Sequence, residues 1–353
     1  VAILPNRSSE MVGRNEPLRQ LGKALELSAG ISDENEAAAP KLVVCPVKGK
    51  SGLGKSMLVR SFVDQIHPDL KPLVLAGKCE QQRSTEFNAV EPLMDQLAGY
   101  LSQLESWERE RYRLSSLESS VPLMKMFRDL ALVPEIRAAD QDETAQSLQD
   151  LRSSALQAIP KLLERIAEHH TLILIIDDLQ WADEESLEAL RMLLKTPIGK
   201  GILLITTIRS EAAKYKVVAG FDKLLGEFQD NVQVFPVELH QFSRTESDEL
   251  VKRLAGHHDI DLDWIFGASR GDPQLIEELV FEARREGGSR SKDVLEIYGR
   301  RFQRLHSPKN ELMAVLAVAG QPVPRTVAFR AAGIVTGDKT QTELELMRDR
   351  FAK

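Results

Sequence analysis

Cysteine is scarce: Cys45 and Cys79 are the two in 353 residues. A fold held by disulfides is disfavoured. Both lie in or beside apolar, strand-like runs, so the expectation is reduced, buried thiols in a cytoplasmic protein. Aromatic residues make up 5% of the chain, and Trp107, Trp181 and Trp264 stand singly. That pattern favours packing over a base-stacking surface. No apolar run approaches the roughly 20 residues that a membrane helix needs. No secretory signal is visible either, so a membrane is not an expected partner. Positive charge is not in excess: the formal net charge is −7, which disfavours indiscriminate binding to nucleic acid. Internal repeats and low-complexity tracts are absent. The chain starts at Val1 rather than Met and ends after the charged run Glu343–Phe351. This sets the expectation of a piece of something longer.

What is present is ordinary globular composition, 42% hydrophobic and 28% charged, enough for two or three domains. Helical spacing begins at Pro17, with Leu18, Leu21, Leu25 and Leu27 roughly on one face. Leu42–Val47 reads as a first strand, although Pro46 cannot donate to a ladder and suggests a bulge. Leu73–Ala76 reads as a second strand and Asn88–Leu104 as an amphipathic helix. Residues 105–155 are charged and mostly helical, an expected insertion with an apolar patch at Leu123–Leu132. A helix over Ala155–Glu168 leads into Leu172–Ile176, an unbroken apolar run expected as a parallel strand buried on both faces. Asp183 is a good N-cap for the next helix. Ile202–Thr207 is another buried strand, and Val232–Leu239 a weaker one broken by Pro236. From Ser243 the pattern is helical. Ser243 with Glu246 forms a capping box, Gln274–Glu286 is a helix, and Tyr298–Leu305, Glu311–Ala319 and Arg325–Ala332 are further candidates.

The most informative stretch is Gly49-Lys50-Ser51-Gly52-Leu53-Gly54-Lys55-Ser56, which satisfies G-x-x-x-x-G-K-[ST] at every fixed position. Leu42, Val43 and Val44 precede it, and Met57, Leu58, Val59 and Phe62 follow on a helical spacing. A strand–loop–helix of this kind turns backbone N–H groups toward phosphate oxygens, and the helix start adds partial positive charge. The expected nucleotide-binding set is Gly49, Ser51, Gly52, Leu53, Gly54, Lys55, Ser56 and Met57. Lys55 is placed for the β- and γ-phosphates, and the Ser56 hydroxyl for Mg²⁺.

Asp177 and Asp178 end the apolar run that starts at Leu172. Two carboxylates there fit the second half of a nucleotide-hydrolysis site: Asp177 beside the metal, Asp178 polarising water. Arg209 closely follows the strand Ile202–Thr207. Ligands gather at the carboxyl ends of strands in an open parallel sheet, so Arg209 converges on the same place as a γ-phosphate sensor. His169-His170 and His257-His258 have no convincing further ligands at metal spacing, so exposed or helix-end histidine is the expectation.

The segment Asp177-Asp178-Leu179-Gln180-Trp181-Ala182-Asp183 is similar to the extended Walker B segment of the signal-transduction ATPases with numerous domains, a branch of the AAA+-like P-loop ATPases. Met11-Val12-Gly13-Arg14-x-Glu16-Pro17-Leu18 resembles their adenine-side motif, and Ile205-Thr206-Thr207-Ile208-Arg209 their sensor strand. Gly271-Asp272-Pro273, with Glu277-Glu278-Leu279, resembles their lid, where Gly-Asn-Pro is usual. Leu75-Ala76-Gly77-Lys78-Cys79-Glu80, with Phe87-Asn88-Ala89, is similar to the central ATPase region of large bacterial serine/threonine kinases. The resemblance runs from about Leu4 to Glu286, more weakly to Lys353, and extends to transcription regulators. It implies Val12 and Arg14 near the adenine and Pro273 packing on it from the lid. No kinase catalytic loop and no complete effector domain is present.

The expectation is therefore an α/β P-loop NTPase with a parallel five-stranded sheet in residues 1–240. A helical lid follows in 241–290, then a partial winged-helix-like tail in 291–353. Its expected function is an ATP/ADP switch that hydrolyses slowly with Mg²⁺ and controls attached effector domains, with an ATP-dependent homo-oligomer as a further possible partner. Two alternatives stand beside it: a DNA-associated AAA+ initiator or loader, and a scaffold that binds ADP without turnover. The absence of an Asn-Lys-x-Asp segment argues against a GTPase. A small-molecule kinase would leave residues 177–183 unexplained.

Overall fold

The computed structural model describes residues 11–31, 42–81, 86–137, 147–198 and 201–286, with 299, 302, 305, 307–319, 323 and 325–334. The expected linker 287–291, most of the helix proposed at Tyr298–Leu305 and the run Glu343–Phe351 lie outside these residues. So does most of the expected loop Gly30–Pro40. The chain divides into two compact units, Val1–Gln241 and Phe242–Lys353.

In the first unit, α1 (Asn15–Ala29) precedes β1 (Leu42–Gly49), α2 (Lys55–Asp64), β2 (Pro72–Lys78) and α3 (Glu91–Gln103). Three short helices follow: α4 (Ser106–Glu110), α5 (Ser120–Met126) and α6 (Pro134–Arg137). Then come α7 (Leu148–Ala167), β3 (Thr171–Asp177), α8 (Glu184–Lys195), β4 (Ile202–Arg209), α9 (Lys216–Glu227), β5 (Val232–Val234) and β6 (Val237–Leu239). All pairings are parallel in the order β2-β3-β4-β1-β5, with β6 also on β1.

The apolar runs are continuous because both faces of the sheet are covered. Val43, Cys45, Ile173, Ile175, Leu203 and Ile205 pack with Leu21, Leu25, Leu58 and Phe62 of α1 and α2. Their neighbours Leu42, Val44, Leu172, Leu174, Ile176, Ile202 and Leu204 pack on the other face with α3, α7, α8 and α9. The period of two sends alternate residues of each strand to opposite layers.

Pro46 makes no bulge. The β1–β4 ladder passes through Pro46 opposite Thr206 without a change of register. On the other side, pairing stops after Val44–Val234 and resumes at Val47–Val237 in the same register. The Phe235 N–H donates to the Val44 carbonyl at 2.8 Å, so backbone groups two residues on also face this strand. The missing N–H of Pro46 therefore falls in the gap where Pro236 also lacks one. The weak last strand is thereby split in two while keeping one position in the sheet.

The patch at Leu123–Leu132 is mostly core: Leu123, Phe127 and Leu130 are buried against the same layer as α3 and α7, while Leu132 is exposed. Charged side chains pin these turns. Arg109 Nε donates to Glu135 at 2.8 Å, and Lys161 to Glu118 at 2.6 Å. α7 begins at Leu148, seven residues before the expected start. α9 was not anticipated, although Val218, Phe221, Leu224 and Leu225 carry a helical spacing. Of the tryptophans, Trp181 packs beside Tyr215 with ring centres 5.4 Å apart. Trp107 is 72% exposed, so the packing expected of it is not found. Cys45 and Cys79 are free and buried, and burial pushes the Cys45 thiol up to about 12. No helix among the described residues is long and apolar enough to cross a membrane.

The second unit contains α10 (Arg244–Ala255), α11 (Leu262–Ser269) and α12 (Pro273–Glu286) around Phe242, Val251, Ile265, Ile276 and Leu279. Beyond them are α13 (Lys309–Ala319) and α14 (Arg325–Ala331). The capping box at Ser243 is formed in both directions.

Candidate functional site

The loop between β1 and α2 is shaped by its glycines. Gly54 sits at φ 84°, a left-handed conformation that a side chain resists, and leads directly into α2. A Cβ on Gly49 would lie 3.0 Å from the Leu239 carbonyl oxygen, so the end of β1 needs a glycine beside β6. The first N–H groups of α2 have no preceding helical carbonyl to bond and carry the positive end of its dipole.

Lys55 curls back over the loop. Its Nζ donates to the carbonyls of Gly49 and Lys50, both at 2.8 Å. Burial pushes its ammonium below the ordinary range, while Asp178 pulls the other way. Ser51 is exposed, Leu53 is buried and Met57 is exposed on α2.

The Ser56 hydroxyl donates to Asp177 at 2.8 Å to Oδ1 and 2.9 Å to Oδ2. The Thr207 hydroxyl donates to the same Oδ1 at 2.5 Å and accepts the Asp178 N–H at 2.8 Å. One threonine on β4 thus holds both carboxylate residues at the end of β3. Asp178 adopts φ 58° and ψ 45°, so the chain turns sharply as it leaves the strand. Its Oδ1 accepts from the Gln180 side-chain amide at 2.8 Å and lies 3.5 Å from Arg209 Nε. Its Oδ2 lies 3.7 Å from Lys78 Nζ. The Gln180 side-chain oxygen in turn accepts the Arg209 N–H at 3.2 Å.

Ser56, Asp177, Asp178 and Arg209 are therefore joined in one network at the ends of β3 and β4, while Lys55 stands beside it, bonded to the carbonyls of its own loop. Sequence reasoning missed Thr207, Gln180 and Lys78 as members. The two buried threonines, Thr206 and Thr207, in an otherwise apolar strand were the available signal. Asn88 was also missed. It is buried, and its amide donates to the Glu80 and Trp181 carbonyls, both at 3.1 Å, so it ties the segment after β2 to the turn after Asp178. Asp183 caps α8 through the Ser186 N–H at 2.6 Å.

Val12 is buried. Arg14 Nη2 donates to the Leu53 carbonyl at 3.2 Å and to the His240 carbonyl at 2.9 Å. These bonds anchor the segment before α1 to the phosphate loop and to the end of β6. Pro273 belongs to the second unit, where it opens α12. Asp272 caps that helix by accepting the Leu275 N–H at 3.0 Å, a local role for the residue that departs from the Gly-Asn-Pro pattern. Beside the phosphate loop, a cleft of about 580 Å³ is lined by Lys48, Lys50, Leu53, Arg209, Glu238 and His240, among others.

A hydroxyl and a carboxylate within 3 Å of each other, Ser56 and Asp177, are hard oxygen donors and fit Mg²⁺, which takes its remaining ligands from phosphates and water. Among the described residues no three His, Cys, Asp or Glu side chains cluster to hold a metal. His170 instead bonds Tyr112 at 2.7 Å, Tyr100 at 3.1 Å and the Lys71 carbonyl at 3.2 Å.

A comparison with curated proteins returns no significant match. Among solved structures, the chain is similar to the Walker-type ATPase of Pyrococcus abyssi, at 17% identity and a TM-score of 0.45, covering 95% of this chain and 91% of that one. It is also similar to Cdc6p of Pyrobaculum aerophilum, at 13% identity and a TM-score of 0.45, covering 98% and 88%. A third is the RuvB Holliday junction branch migration motor of Thermotoga maritima, at 14% and 0.40, covering 96% and 88%. At these values no residue-level correspondence follows. The family model described as AAA ATPase domain matches residues 10–205, more than half of the chain, and the chain belongs to that family.

Proposed function

We propose that this chain is an ATP-binding, slowly hydrolysing switch module of a multidomain bacterial signalling protein, in which ATP or ADP at the loop 49–56 sets the state of attached effector domains. The observation that carries the hydrolytic part is the single hydrogen-bonded network of Ser56, Asp177, Thr207, Asp178, Gln180 and Arg209 at the carboxyl ends of the strands. The signalling part rests on the resemblance of residues 177–183 and 271–279 to the signal-transduction ATPases, and the net charge of −7 favours it over a DNA loader.

In this reading, loop N–H groups and Lys55 hold the phosphates, and Lys55 exchanges its two carbonyl partners for phosphate oxygens. Ser56 and Asp177 hold Mg²⁺, which when bound offsets phosphate charge. Asp178 takes a proton from water, whose oxygen bonds the γ-phosphorus as the bond from that phosphorus to the β–γ bridging oxygen breaks, giving ADP and phosphate. Arg209 meets the γ-phosphate charge, and Val12, Arg14 and Pro273 serve the adenine side.

Single-turnover hydrolysis of radiolabelled ATP tests the reading. Asp178→Asn is expected to keep Mg·ATP binding and to slow the chemical step by about 10²-fold, the range for loss of a positioned base. A variant as fast as the parent makes Asp178 structural. A parent that binds ADP without any turnover is a scaffold instead.

A further inference from the structure

Asp178 is held by Gln180, a residue of the same segment to which the sequence reading assigned no role in the site. Gln180 is buried, 3% exposed, two positions after Asp178 in the turn that leaves β3. Both ends of its amide are used. The nitrogen donates to Asp178 Oδ1 at 2.8 Å, and the oxygen accepts the backbone N–H of Arg209 at 3.2 Å. A primary amide both donates and accepts through a rigid plane while remaining neutral. Carboxylate would lose the donor, and a hydrocarbon would lose both bonds.

The two oxygens of Asp178 are consequently unlike. Oδ1 is committed to Gln180 and faces Arg209 Nε at 3.5 Å, while Oδ2 faces Lys78 Nζ at 3.7 Å. The backbone of Asp178 is fixed separately by its N–H to Thr207. With the main chain and one oxygen both held, rotation of the carboxylate is the freedom that Gln180 removes.

We infer that Gln180 is a positioning residue for hydrolysis: it commits Oδ1, leaves Oδ2 to receive the water proton, and locks the carboxylate to the end of the strand that carries Arg209. The inference rests on Asp178 being the base. Its effect belongs to the chemical step rather than to nucleotide binding, because Gln180 is not in the phosphate loop. It also acts through Asp178, so its effect is not additive with loss of that carboxylate.

The test is single-turnover hydrolysis and ATP affinity for the parent, Gln180→Glu, Gln180→Met, Asp178→Asn and the double variant Asp178→Asn with Gln180→Met. Gln180→Glu keeps the acceptor for Arg209 and removes the donor to Asp178. Gln180→Met removes both bonds at similar volume and guards against misfolding caused by a buried charge. The expected result is a fall in the hydrolysis rate of about tenfold or more in either folded single variant, with ATP affinity within about twofold of the parent. In the Asp178→Asn background, Gln180→Met is expected to add less than about twofold. Parent-like rates in Gln180→Met alongside a slow Asp178→Asn overturn the role of Gln180 and leave the base in place. A parent-like Asp178→Asn overturns the base itself. Equal loss of rate and affinity, or full additivity in the double variant, makes Gln180 a general structural residue and overturns the inference.

Discussion

Asp177 and Asp178 are adjacent in sequence, yet their partners differ in kind. Asp177 accepts from two hydroxyls, Ser56 and Thr207, and so presents a hard oxygen site. Asp178 is surrounded by an amide and two cations, Gln180, Arg209 and Lys78. Two roles for two carboxylates follow from these surroundings. Arg209 is partly exposed, so its 3.5 Å contact with Asp178 contributes little by itself. A γ-phosphate offers it a denser charge. Arg209→Ala is therefore expected to weaken ATP binding about tenfold and ADP binding by about twofold or less, the difference of one charge-assisted bond. Calorimetric titrations with both nucleotides check this, and equal losses would make Arg209 a general anchor.

At the scale of elements, the strands were legible because burial on both faces leaves uninterrupted apolar runs, as in Leu172–Ile176. The phosphate loop was legible because its fixed residues are consecutive. The network after β3 was less so: Thr207 meets Asp178 through parallel register, and Gln180 through the left-handed turn at Asp178, neither of which a linear sequence displays. Pro46 misled because the consequence of its missing N–H depends on Pro236, far along the chain. The apolar patch of the insertion was legible as packing, but the layer it joins, with α3 and α7, was not, because those contacts are distant in sequence.

The end of α7 carries a device of the same hidden kind. His170 accepts at Nε2 from Tyr112 while its Nδ1 donates to the Lys71 carbonyl, an arrangement that needs the neutral ring. Burial pushes its ionisation below the ordinary 6.5; the bond to the Lys71 carbonyl opposes this, and the nearby charges of Arg111, His169 and Lys71 act with burial. The unfolded chain thus binds a proton that the folded one refuses. His170 costs no stability above about pH 6.5 and destabilises the fold progressively below it. Urea titrations between pH 7.5 and 5, with those pH values only approximate limits, are expected to show a steeper loss for the parent than for His170→Gln. Parallel curves would contradict this.

At the scale of the whole molecule, two units each have a core of their own, and the proposed switch requires that nucleotide bound in the first alters the second. A ligand shifts only an equilibrium whose states it binds differently. Amide hydrogen exchange reads this directly. Mg·ADP is expected to change protection in α11 and α12, and not only in residues 49–60 and 177–209. Changes confined to those two stretches would leave a plain nucleotide-binding domain with no transmission to residues beyond 242.

The proposed switch depends on the loop 49–56 holding nucleotide. Lys55 bridges the Gly49 and Lys50 carbonyls and is the lysine of the phosphate motif. Calorimetric titration of Mg·ATP and Mg·ADP into the parent and into Lys55→Ala is the most direct test. The expected result is measurable binding to the parent and a loss of about 100-fold or more in the variant, with circular dichroism unchanged, the scale of a charged bond removed from a partly buried site. Equal affinity in a folded Lys55→Ala variant would contradict the account.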